Sequence, residues 1–67
     1  MNRWEGNWEF DDATSPHHGE TGQATITAPT QFDAQQAVKE AASRTLFGSP
    51  MMTPYIVVRS ITKLPPQ

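Results

Sequence analysis

The sequence predicts an α+β domain: a two-layer ββαβ arrangement in which a three-stranded, mainly antiparallel sheet carries one helix across one face. Three observations predict it. Residues 4–10 and 23–28 alternate apolar and polar side chains with the period of a strand, residues 31–47 repeat small and apolar side chains at helical spacing, and residues 55–62 form a β-branched run. Two strands, a helix and a third strand in that order pack most simply as one sheet with a covering helix.

In the first strand Trp4, Gly6, Trp8 and Phe10 share one face, and Glu5, Asn7 and Glu9 share the other. The aromatic face is the expected core side, and the glutamates are expected at a solvent face, keeping a sheet edge soluble. Residues 11–22 are rich in Asp, Ser, Thr, Gly and His and contain Pro16, so they read as a connection longer than a tight hairpin. The second strand places Ala24, Ile26 and Ala28 on one side and Thr25 and Thr27 on the other, and Pro29 ends it.

Thr30 stands three residues before Asp33, a capping-box-like start for the helix over 31–47. Its expected buried face is Ala34, Ala37, Val38, Ala41, Thr45 and Leu46, narrow enough to let the helix approach the sheet. Gln35, Gln36, Lys39, Glu40, Ser43 and Arg44 are expected outside. Gly48 suits the left-handed position just past a helix end. Residues 48–54 read as a loop bounded by Pro50 and Pro54. The run Tyr55, Ile56, Val57, Val58 is apolar on both faces, as a central strand or a dimer contact requires. Residues 1–64 make one domain, and residues 65–67, with two prolines, read as a tail.

A chain of 67 residues buries a modest core, and with no cysteine it has neither a disulfide nor a thiolate metal site to staple it. Packing or self-association must serve instead, so a homodimer stays open. The stretch lacks a run of apolar residues long enough for a membrane span and a basic-then-apolar leader, and the expectation is a cytoplasmic protein with no membrane partner.

The net charge of -2 is unevenly spread. The first twenty residues set Glu5, Glu9, Asp11, Asp12 and Glu20 against Arg3, while Lys39, Arg44, Arg59 and Lys63 outnumber Asp33 and Glu40 in the rest. Five scattered basic residues make no phosphate-binding stripe, which disfavours nucleic acid as a partner.

No catalytic constellation stands out. His17 and His18 are adjacent in a loop near Asp11, Asp12 and Glu20, without the spacing on a rigid element that a metal site uses, and they read as a solvated turn. Ser15 and Ser49 have no nucleophile motif around them, and Glu5 and Glu9 would stand about 13 Å apart along a strand. The expectation is a non-enzymatic protein with no cofactor. The candidate partner-binding residues are Glu5, Glu9, Asp11 and Asp12, an acidic strip for a basic surface, and Met51 and Met52. The adjacent methionines, bounded by prolines, either fold back over the helix end or present an adaptable apolar tip.

The run Ala24 to Ala28, the Thr30-capped helix with Ala34, Ala37 and Ala41, then Gly48 and the strand at Tyr55 to Val58 resemble the layout of very small phage-encoded proteins, some anti-CRISPR proteins among them. That resemblance implies a stoichiometric inhibitor from a phage or mobile element, of the anti-CRISPR or host-takeover type. Such an inhibitor blocks a host nucleic-acid-processing protein by occupying its basic surface. The layout is also similar in outline to a unit of small ribosomal proteins. Those carry a basic segment after the glycine, where this chain has Ser49, Pro50, Met51 and Met52. The alternative from a different class is a dimeric nucleic-acid-binding domain that gathers Arg44, Arg59 and Lys63 from two subunits.

Overall fold

The computed structural model describes residues 1–66, so Gln67 of the expected tail lies outside the described residues. Strand β1 covers Asn2–Phe10, β2 Thr21–Ala28, helix α1 Gln31–Phe47, a 3-10 helix Pro50–Tyr55, and strand β3 Ile56–Lys63. The three strands form one sheet in the order β2-β1-β3, with β1 antiparallel to both neighbours and α1 packed across one face. The fold is the α+β ββαβ arrangement that the alternation and the helical spacing predict.

The position of the strands differs from expectation in an instructive way. The strand with the glutamates, β1, is central, so Glu5 and Glu9 do not guard an edge. The most apolar strand, β3, lies at an edge. β3 also carries a β-bulge, which falls after the Tyr55 to Val58 run and leaves Val57 on the open face opposite Glu9. Asn7 pairs with Ser60 while Trp8 pairs with Val58, which leaves Arg59 as the extra residue. An added residue moves all that follow to the other face. Ile56 and Val58 therefore point at the helix before the bulge, and Ile61 points there after it, packed against the same core.

Strand boundaries also extend beyond the alternation. Asn2 and Arg3 pair with Ala28 and Thr27, and Thr21 and Gly22 pair with Glu9 and Trp8, because backbone pairing continues where side-chain alternation has faded. Residues 50–54, expected as a loop, and Tyr55, expected to open the third strand, wind into the 3-10 helix, with Ser49 Oγ accepting from the Met51 amide at 3.3 Å and Pro50 at its first position.

The core divides into two clusters along β1. Trp8, Phe10, Val38, Ala42 and Ile56 form the larger, and Trp4, Ala28 and Ala34 the smaller. Ile26 and Ile61 touch both. Each fully buried aromatic or aliphatic side chain contributes about 1.5–3 kcal/mol relative to its exposed state. The polar end of Trp4 is accommodated too, its indole N–H donating to the Ala28 carbonyl at 3.0 Å.

The helix starts where Thr30 Oγ1 accepts from the Asp33 amide at 3.2 Å, one half of a capping box, and ends at Gly48, whose φ of 75° is left-handed and whose N–H donates to the Arg44 carbonyl. Its close approach rests on Gly6, because a Cβ there would lie 2.5 Å from Val38 Cγ2. The buried face is Ala34, Val38, Ala42 and Ser43, with Ala37, Ala41 and Leu46 half-buried and Thr45 exposed. Ser43, expected outside, is fully buried. Its hydroxyl donates to the Ser49 carbonyl at 2.5 Å and accepts from the Met52 amide at 3.0 Å. One serine thus satisfies two backbone groups of the turn that follows α1, which is why a polar residue occupies the helix face there.

Candidate functional site

The molecule is elongated, 40 × 18 × 17 Å, and its two ends differ in chemistry. At one end β1 finishes, α1 finishes and the 3-10 helix joins β3. The Asp11 amide donates to the Tyr55 carbonyl at 2.8 Å, tying the β1 exit to the end of the 3-10 helix. Around the buried Phe10 ring stand Phe47 at 5.2 Å, Tyr55 at 6.2 Å and His17 at 6.3 Å between ring centroids, and His17 meets Phe47 edge-on at 4.9 Å. The inner side of this aromatic stack belongs to the core. Its outer side reaches solvent, with Phe47 37%, Tyr55 45% and Met51 81% exposed.

The two methionines separate in role. Met52 packs against the Phe10 cluster, and its amide donates a hydrogen bond to Ser43 Oγ, whereas Met51 projects outward. Met52 thus takes the fold-back alternative, and Met51 is exposed.

The acidic residues fall into two groups. Asp11 and Asp12 stand at the aromatic end, where Asp12 Oδ1 accepts from the Thr14 amide and hydroxyl at 3.1 and 2.8 Å and so shapes the turn at residues 12–15. Asp11 Oδ1 lies 3.9 Å from His18 Nδ1, and Glu20 is hydrogen-bonded to His17. Glu5 and Glu9 point from the open face of the sheet. Glu9 Oε1 is bound by Arg59 Nε and Nη2, each at 2.9 Å, and Glu5 Oε1 accepts from Gln23 Nε2 at 2.9 Å. Asn7 between them donates to Ser60 Oγ at 2.7 Å. The strand glutamates thus belong to a polar ladder across the sheet, apart from Asp11 and Asp12 at the aromatic end.

Sequence reasoning missed Phe47, Tyr55 and His17. Phe47 is the last helical residue and Tyr55 the last of the 3-10 helix, so only the meeting of those two ends brings the rings together. The serines of the loops serve structure: Ser15 Oγ accepts from the His17 amide at 3.1 Å, and Ser49 caps the 3-10 helix.

The opposite end is basic. Arg3, Lys63, Leu64 and Pro65 border a pocket of about 380 Å³, and the Leu64 amide donates to the Arg3 carbonyl at 2.8 Å. Of the cations once grouped for nucleic acid, Lys63 stands here, Arg44 stands in the last turn of α1 at the acidic end, and Arg59 is committed to Glu9. Among the described residues no helix is long and apolar enough to cross a membrane. No protein family, curated protein or solved structure matches the chain.

Phe47 and Tyr55, both against Phe10, and Met51 of the 3-10 helix are thus exposed at the end of the molecule where Asp11 bonds Tyr55.

Proposed function

We propose that this chain is a non-enzymatic protein-binding domain that acts by steric occlusion through its acid-rimmed aromatic end. The partner is a host protein with a basic surface, and the reading that fits best is an inhibitor of phage or mobile-element origin, directed at a nucleic-acid-processing protein in the anti-CRISPR manner. The observation that carries this reading is the exposure of Phe47, Tyr55 and Met51 at the end where the Asp11 amide bonds the Tyr55 carbonyl. Aromatic anchors dominate protein interfaces when a partner pocket desolvates them. Acidic neighbours favour a partner that itself binds nucleic acid, because such surfaces are basic.

The test is capture of partners from a bacterial lysate with the immobilised chain, comparing wild type, Met51→Asp and Asp11→Lys. A protein retained by wild type should be lost with Met51→Asp. Asp11→Lys should weaken its retention most at low salt, where surface charges are least screened. A partner held equally by all three proteins would remove the aromatic end from the mechanism. Retardation of DNA or RNA by the chain at low ionic strength would favour the nucleic-acid-binding reading instead.

A further inference from the structure

The two edges of the sheet are unequal. Edge strands are ordinarily guarded against pairing by charge, bulges or prolines. β3 has such guards within its span, the bulge at Arg59 and the cations Arg59 and Lys63, with Pro65 and Pro66 beyond Leu64 at its end. β2 has neither a bulge nor a charge within its span, and only Glu20 and Pro29 flank it. It reads Thr-Gly-Gln-Ala-Thr-Ile-Thr-Ala, uncharged, and pairs with β1 from Ala28 to Thr21 without a break in register.

The hydrogen-bond parity of the sheet shows which backbone groups are free. The Phe10 amide and carbonyl bond toward the Glu20 side, while the Asp11 amide and the Arg3 carbonyl bond toward β3. Even-numbered residues of β1 therefore face β2, and their partners there are Gly22, Ala24, Ile26 and Ala28. The N–H and C=O groups of Thr21, Gln23, Thr25 and Thr27 point away from the sheet, and all four residues are exposed. On the helix side the apolar Ala24 and Ile26 remain half-buried along the same edge.

We infer that β2 is a self-pairing edge. A second copy of this chain adds antiparallel to it about a two-fold axis through Ala24 and extends the sheet in the order β3-β1-β2-β2-β1-β3. This register is the one that uses every outward group, with Thr21 opposite the partner's Thr27 and Gln23 opposite the partner's Thr25. It also places the two helices on one face, where they close over Ala24 and Ile26. Charge agrees with the direction. β2 runs from the acidic end of the domain toward the basic one, so the antiparallel copy sets Glu20 two strands from the partner's Arg3 and brings no like charges together along the seam. The guarded β3 edges lie outermost and stop growth at two copies.

Sedimentation of the full chain over a rising concentration series, combined with cysteine cross-linking, tests the pairing. The wild-type mass should double. Thr25→Pro should stay monomeric with an unchanged circular dichroism spectrum, because its lost N–H faces outward and bonds nothing within the chain. In the absence of any natural cysteine, Ala24→Cys should oxidise to a covalent dimer, since non-hydrogen-bonded antiparallel partners hold their Cα atoms at disulfide distance. Thr62→Cys on the β3 edge should cross-link roughly ten-fold more slowly, lacking the high effective concentration that pairing supplies. Equal cross-linking at both edges, or a monomer at every concentration, would overturn the proposal. So would uptake on β2 of an extended peptide from another protein by a chain that never pairs with itself. The measurement is independent of the aromatic end, so Met51→Asp should dimerise like wild type.

Discussion

The two faces of β1 are built from different physics. Toward the helix, Trp4, Gly6, Trp8 and Phe10 are all buried, and the Trp4 indole N–H finds the Ala28 carbonyl. Toward solvent, Glu5, Asn7 and Glu9 each bond a side chain on a neighbouring strand. The first face removes apolar surface from water, a gain that scales with area. The second exchanges bonds to water for bonds to protein, which nets little. A small domain can therefore concentrate its stability on one side of a single strand and leave the other side free to vary.

The largest test of that contrast is Phe10→Ala. A domain of this length has about 3–10 kcal/mol of stability in total, and truncating a buried Phe costs about 3–5 kcal/mol. Chemical denaturation should show the variant largely unfolded or close to it. An intermediate effect is expected for Gly6→Ala, where the added methyl meets Val38 at 2.5 Å and forces the helix outward, at about 1–3 kcal/mol. Combining it with Val38→Ala should recover part of that overpacking term, read as a loss smaller than the sum of the two single variants. The smallest effect belongs to Arg59→Ala. It removes a pair in which Arg59 is 57% and Glu9 28% exposed, and should change stability by no more than about 1 kcal/mol. A loss from Arg59→Ala as large as that from Phe10→Ala would erase the distinction between the faces.

Much of the fold was legible because local signals agreed. The alternation of Trp4, Trp8 and Phe10 with Glu5 and Glu9, the Thr30 cap and the left-handed Gly48 all point to elements the structure contains. The order of the strands was not legible, because backbone pairing partners leave no mark on a single sequence. Nor was the bulge at Arg59, which lets a run without clean alternation feed one face of a sheet. Ser43 defeated the helical pattern for a related reason: its partners, Ser49 and Met52, belong to a turn whose path periodicity does not describe. Of the candidate site, Asp11, Asp12 and Met51 were identifiable from charge and from the awkwardness of an apolar loop residue. Phe47 and Tyr55 join them only through tertiary packing, since each closes a different helix.

The Ser43 hydroxyl has a consequence for recognition. Because it clamps the turn beyond the helix through both a donor and an acceptor, the segment bearing Met51 is shaped before any encounter. On the proposed function, a partner docking on this segment would need to immobilise little of it beyond the thioether arm of Met51, at about 0.5–1.5 kcal/mol. In the proposed binding role, the order of this segment would come from one oxygen atom inside the fold and not from the partner.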